Sequence, residues 1–300
     1  QWDVRDPTTD IAAMKSLFPA VIAAAHVLNT GHGLVRELQA ALKKIPQYPL
    51  KHDRTGKAFI GMSYDENAPI HNTENIGLEV VWPYALIGDA GPLHELGVRT
   101  YEDRPNKFQN DWSFDPIQAA RLGLAAQIRT ALIDLTEKYQ QYPSGFAKFV
   151  GPEFYIEQIG VVAAALQQAL VQDYGGLLRI APAWPKEWDV DGTVYIQRNS
   201  RVDVQVRHGI PVTVVIEAGA NGHLSVRNPW PGEPAEVLSS DGQRIARASG
   251  TSLLHFATKV GKSYAVQRAA SPNARLPFAA VDGIPASSPK SLGIRHIGLQ

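Results

Sequence analysis

Three groups in this sequence have the means to do chemistry. Glu157 opens a long apolar stretch that runs through Val161, Ala164, Ala165, Leu166 and Ala169. The positive end of a helix starting there favours a carboxylate, which suits a base and equally suits a first-turn glutamate that only complements the helix dipole. The segment Ile70-His71-Asn72-Thr73-Glu74-Asn75 is the densest polar cluster. His71, Asn72, Glu74 and Asn75 carry the donors and acceptors that grip hydroxyl groups, while Asn72, Thr73 and Glu74 are also residue types that cap a following helix. Asp111 and Trp112 precede another apolar stretch. An indole is a platform for the apolar face of a sugar, yet a Trp in that place also serves as a core plug, and Asp111 or Ser113 as a cap.

The elements that must hold these groups change character once along the chain. From Ile11, apolar residues recur at Met14, Leu17, Phe18, Val21, Ile22, Ala25 and Leu28, which is helical spacing, with a kink or break expected at Pro19. Leu34, Val35, Leu38, Leu42 and Ile45 continue the period until Pro46 and Pro49 stop it. Residues 46–75 read as an irregular loop, of a length that is usually functional or disordered. Helices are then expected over Leu78–Ile87, Leu93–Tyr101, Ile117–Leu124, Ile128–Tyr139 and Phe154–Tyr174, seven in all.

After Gly175-Gly176 the period falls to two. Val202, Val204 and Val206, then Val212, Val214 and Ile216, are one such alternating set, and similar runs reach Val266. The spacing predicts an antiparallel β-sandwich. Trp184, Trp188 and Trp230 fall at the junction or within it and read as interdomain packing. From Ala270 the chain is rich in Ala, Ser and Pro, as in a tail laid over the surface.

Composition narrows the possibilities. The 300 residues carry 29 Lys+Arg against 29 Asp+Glu, so no electrostatic footprint marks a nucleic acid or an anionic membrane as partner. There is no cysteine, which removes disulfides, thiolate metal sites and thiol nucleophiles. The longest nearly apolar run, Ile159–Leu166, is far shorter than the ~20 residues of a membrane span. Asp189, Asp191 and Asn199 fit no calcium loop, and no glycine-rich loop joins a strand to a helix, so neither metal nor cofactor is expected. The N-terminus, without a starting Met or an apolar leader, reads as an internal cut in a longer chain.

Several segments resemble the second half of the catalytic toroid of glycoside hydrolase family 95, the 1,2-α-L-fucosidases. They are Asp10 to Leu28, Glu74-Asn75-Ile76-Gly77-Leu78 with Trp82-Pro83-Tyr84, and Phe108-Gln109-Asn110-Asp111-Trp112-Ser113 leading into Gln118-Ala119-Ala120-Arg121-Leu122-Gly123. Phe154-Tyr155-Ile156-Glu157 and Gly175-Gly176-Leu177-Leu178-Arg179-Ile180-Ala181-Pro182-Ala183-Trp184-Pro185 add to the likeness, which spans roughly residues 7–265.

The resemblance implies an α+β multidomain chain. A partial (α/α) six-hairpin toroid over 1–176 is followed by an antiparallel β-sandwich over 177–269 and an extended tail over 270–300. It implies inverting hydrolysis of terminal α-L-fucosyl or α-L-galactosyl units, which calls for two carboxyls about 6.5–9.5 Å apart. Glu157 falls at the family's base and would point into the mouth of the toroid. Gln158 stands beside it, and His71, Asn72, Glu74, Asn75, Asp111 and Trp112 would line the sugar.

The sequence departs from the family at Glu157-Gln158-Ile159-Gly160-Val161, where the family has Asp-Gly-Asn-Phe-Gly. The family's general acid precedes the helix that here begins near Asp10, and the first glutamate of this chain is Glu37, so the acid is expected upstream of residue 1, with Glu74 as a substitute. The partners expected are a glycan substrate and the missing N-terminal part of the same protein. Two other classes stand beside the hydrolase: a non-catalytic carbohydrate-binding scaffold, and a polysaccharide lyase on the same toroid using Tyr and His. Secretion or the periplasm suits the full-length protein better than the cytoplasm.

Overall fold

A computed structural model describes residues 3–65, 67–71, 73–107, 113–142, 146–148, 154–250 and 253–270, and the strands at 290–292 and 295–297. The architecture is mixed helix and sheet. Among the described residues six helices come first: α1 (Thr8–Leu28), α2 (His32–Leu42), α3 (His94–Glu102), α4 (Asp115–Arg121), α5 (Ala125–Tyr139) and α6 (Ile156–Leu170). A hairpin of β1 (Leu50–His52) and β2 (Ala58–Ile60) lies between α2 and α3, inside the segment expected to be irregular. Its turn is built by Asp53, whose Oδ1 accepts from the N–H groups of Thr55 (2.7 Å) and Lys57 (2.9 Å). Farther on, β3 (Ala147–Lys148) and β4 (Phe154–Tyr155) form a short antiparallel pair that leads into α6.

The helix expected over Leu78–Ile87 is not present. The chain makes one 3₁₀ turn, Ile76–Leu78, and then a series of turns that bury Val80, Val81 and Ile87. Pro83 lacks an N–H and restricts Trp82 before it, which disfavours a helix through the pair. Pro19 has no such effect, since α1 runs unbroken from Thr8 to Leu28.

The sandwich consists of a four-stranded and a six-stranded sheet. The strands are β5 (Val171–Tyr174), β6 (Leu177–Ile180), β7 (Val190–Ile196), β8 (Ser200–Arg207), β9 (Ile210–Glu217), β10 (Gly222–Arg227), β11 (Ala235–Ser239), β12 (Arg244–Ala248), β13 (Leu253–Thr258) and β14 (Ser263–Arg268). The orders are β13-β10-β6-β5 and β12-β11-β14-β9-β8-β7. Inward side chains of both sheets, among them Leu178, Val226, Leu254 and Phe256 facing Val202, Val204, Val214, Ile216 and Val237, share one core. One pairing departs from the antiparallel expectation, because β10 and β6 run parallel, with Val226 opposite Leu178.

Strand β5 also corrects the reading of residues 154–174 as one helix. α6 stops at Leu170, and Val171 begins a strand paired with β6 through the Gly175-Gly176 turn, where both glycines have positive φ, 62° and 72°. Such a turn admits glycine at little steric cost. The last carbonyls of α6 are satisfied from beyond β6, by Ala181 N–H on Leu170 O (2.6 Å) and Ala183 N–H on Ala169 O (3.2 Å). Trp184 touches both the sandwich core and the helical core, and its indole N–H donates to Trp188 O at 2.8 Å. Trp230 is buried, with its indole N–H on Pro211 O at 2.9 Å. The expected tail holds one more pairing, β15 (Lys290–Leu292) with β16 (Arg295–Ile297).

Beyond the first turns of α1, the α1–α2 hairpin takes little part in this packing. α1 buries only Thr8, Ile11, Ala12 and Ala25, whereas Val27 is 85% exposed and Leu28 71%, with Leu17, Val21 and Leu34 exposed as well. By length and composition α1 could also cross a membrane, although Asp10, Lys15 and Pro19 lie within it.

Candidate functional site

A cavity of about 220 Å³ lies between β2, the 3₁₀ turn and α3. Phe59, Ile60, Met62 and Leu78 make its apolar side; Asn75, Thr100, Asp103, Arg104 and Lys51 bring polar groups to it. Each wall is held from a distance in sequence. α3 grips β2 through Thr100 Oγ1, which accepts Ile60 N–H at 2.9 Å and donates to Leu96 O at 2.7 Å, and through Arg99 Nε on Ala58 O at 2.8 Å. The start of α1 fixes the far end, with Thr8 Oγ1 donating to Gly61 O at 2.6 Å and Thr8 N–H to Met62 O at 2.8 Å. The 3₁₀ turn approaches so closely that a β-carbon on Gly77 would lie 2.5 Å from Ile60 O, so glycine is required there.

Behind the polar edge is a buried network. Asp115, in the first turn of α4, accepts Arg104 Nε on Oδ2 and Asn75 Nδ2 on Oδ1, both at 2.7 Å. Asn75 Nδ2 also donates to Asn106 O at 2.9 Å, and Asn75 Oδ1 accepts Asn106 N–H at 3.1 Å. Arg104 donates to Tyr101 O and stacks on the Tyr101 ring, 3.8 Å from its centroid. Burial holds the Tyr101 hydroxyl well above the usual tyrosine range. The network fixes the Asn75 amide and the Arg104 guanidinium at the cavity, and rigid polar groups beside an apolar wall are how a pocket orients a compact hydroxylated ligand.

A second arrangement, at the residue that follows the 3₁₀ turn, concerns acids. Glu79 has its carboxyl raised above the ordinary value of 4.5, chiefly by burial, with the charges of Glu74 and Asp10 adding to the effect and a hydrogen bond with Thr9 opposing it.

Of the residues expected at the site, Asn75 lies at the cavity. Glu74 is half-buried, with Oε2 buried and unbonded, and lines no described cavity. His71 is exposed, next to Ile70 of the cavity wall. Asn72, Asp111 and Trp112 lie outside the described residues. Gln158 is corrected outright as a ligand contact. Its side chain is 0% exposed, donating from Nε2 to Leu135 O (3.2 Å) and accepting Gln140 Nε2 on Oε1 (3.3 Å), so it ties α6 to α5. Glu157 sits in the first turn of α6 and is exposed, and no described cavity reaches it. The projection into a hollow is therefore not found; the position fits the dipole-complementing alternative.

The capping alternative for the polar cluster is not observed either, since the 3₁₀ turn after Asn75 has no side-chain cap. Ser113 does receive a backbone bond, Asp115 N–H on Oγ at 3.3 Å. Trp82 packs on Phe114, with ring centroids 4.8 Å apart, as a core plug. Glu79, Thr100, Asp103, Arg104 and Asp115 had no local signal, because each acquires its setting from partners elsewhere in the chain. No family model matches the chain, and no curated protein matches it.

Proposed function

We propose that this chain is the sugar-holding part of an inverting glycoside hydrolase of the family 95 type, acting on terminal α-L-fucosyl or α-L-galactosyl units. The observation that carries the reading is the cavity at Asn75, where an apolar wall faces an amide and a guanidinium fixed by Asp115. An apolar sugar face would rest on the wall while hydroxyls bond to the fixed edge. The exposed apolar face of the α1–α2 hairpin supports the reading of the helices as part of a six-hairpin toroid whose remaining helices pack there.

Calorimetry of this chain with L-fucose and L-galactose tests the pocket, and a glycan panel on the complete protein tests the reaction. Saturable fucose binding that Asn75→Ala weakens at least tenfold, together with release of the sugar in inverted configuration, is the expected result. Absence of both binding and release overturns it.

A second reading, a non-catalytic carbohydrate-binding scaffold, is favoured by the exposed Glu157 with no described hollow above it. It is distinguished by binding that persists while the complete protein releases no sugar.

A further inference from the structure

A second cavity, of about 270 Å³, opens where the helical part meets the sandwich. Its charged lining is Asp89, Arg179 and Arg227, and its walls include Pro182, Pro211 and Pro229. Asp89 comes from the turns before α3, Arg179 from β6 and Arg227 from the end of β10. Asp89 is held twice: Arg179 Nε donates to Oδ1 at 3.1 Å, while Arg227 donates from Nη1 to Oδ2 at 2.5 Å and from Nη2 to Oδ1 at 3.0 Å. Arg179 Nη1 is used by Tyr174 O and Leu177 O.

The charge does not balance. Arg121, at the end of α4, joins the cluster through Tyr174, whose ring centroid lies 3.9 Å from the Arg121 guanidinium carbon and 4.1 Å from that of Arg179. Two guanidiniums thus share one carboxylate, and a third stands against the same tyrosine ring. Arg121 Nε and Nη1 are buried without a hydrogen-bond partner among the described residues. Arg179 Nη2 and Arg227 Nε likewise have no protein acceptor there. Surplus positive charge in a partly desolvated site is costly, and a guanidinium fork matches an oxyanion in shape as well as sign.

We propose that this junction cavity is a binding site for a small oxyanion, a carboxylate or sulfate group, which Arg227 and Arg179 grip while Asp89 holds the two arginines in place. The cavity is too small for a macromolecule, and proline walls keep its shape without adding donors of their own. Arg227 is the accessible arm, its side chain 30% exposed against 11% for Arg179. The anion would join the two parts of the molecule, since its ligands come from β6 and β10 and their carboxylate partner from the helical side. The site is separate from the Asn75 cavity, so it stands or falls independently of the glycosidase reading.

The test is calorimetry and thermal melting of the whole chain in sodium sulfate and in sodium glucuronate, against sodium chloride at equal ionic strength and against glucose. Saturable heat and a rise in melting temperature with sulfate or glucuronate, absent with chloride and glucose, is the expected result. Sulfate alone identifies a free tetrahedral anion, and glucuronate alone a sugar acid; either supports the site. Arg227→Gln should weaken binding at least tenfold. Sulfate and glucuronate that both behave as chloride does overturn the proposal, as does unchanged affinity in a folded Arg227→Gln variant.

Discussion

Replacing Asp115 by Ala removes the one carboxylate on which the first cavity's polar edge is built. Its side chain is 0% exposed and that of Arg104 5%, with 2.7 Å between the bonded atoms. The guanidinium would lose its bond to Oδ2, and Asn75 would lose one of its two acceptors. Breaking a buried pair from one side costs about 3–5 kcal/mol, because the remaining charge stays desolvated. Against a total of about 5–15 kcal/mol that is a large share, and at about 2–4 °C per kcal/mol the melting temperature should fall by roughly 6–20 °C. Urea unfolding followed by tryptophan fluorescence reads the loss as a lower midpoint at constant slope. Arg104→Met combined with Asp115→Leu should recover most of it, since apolar residues of similar volume leave no charge stranded. A loss below about 1 kcal/mol for Asp115→Ala would refute the account of the network as a desolvated pair.

Glu79 gives a pH-dependent test. Its folded carboxyl is raised, so the stability it contributes is present below the ordinary value of 4.5 and lost as the pH rises through the folded value. Glu79→Gln should therefore raise the melting temperature at pH 8 and gain nothing near pH 4; a variant less stable than the parent at pH 8 contradicts this. Gln158→Leu should cost about 1–3 kcal/mol in urea unfolding by orphaning Gln140 Nε2 and taking a second donor from Leu135 O, and leave sugar affinity unchanged. Lysine at positions 17, 27 and 28 of α1 should shift stability by no more than about 0.5 kcal/mol while lowering self-association in light scattering, because those side chains already face solvent.

What the sequence made legible follows the range of the forces involved. The change of period after Gly175-Gly176 marked the sandwich, because alternation along β8 and β9 is a local property read two residues at a time. α3, α4 and α5 were likewise legible from their own spacing. The stretch from Leu78 failed because Val80 and Val81 are both buried, a pattern that an apolar run cannot distinguish from a helix until Pro83 is given its full weight. β5 was absorbed into α6 although Gly175-Gly176 between Tyr174 and Leu177 is a hairpin signal. The parallel β6–β10 pair joins strands more than forty residues apart and leaves no local trace. At the candidate site the same rule holds. Asn75 was visible as a polar residue in a polar cluster, whereas Asp115 matters because folding brings it to Arg104 and Asn75, and Gln158 beside Glu157 was spent on joining two helices.

The direct passage from Leu170 to Val171, without a loop, has a practical consequence. A single rod of backbone ends in one layer of the molecule and begins in the other, with Ala181 and Ala183 hooked onto its tip. Proteases therefore have no slack tether to clip at this crossing. Anyone excising the C-terminal half for separate expression must start no later than Val171, which leaves the carbonyls of Ala169 and Leu170 behind on the other piece. Each half would then carry an unhealed end, and heating the intact chain should give one melting event rather than two.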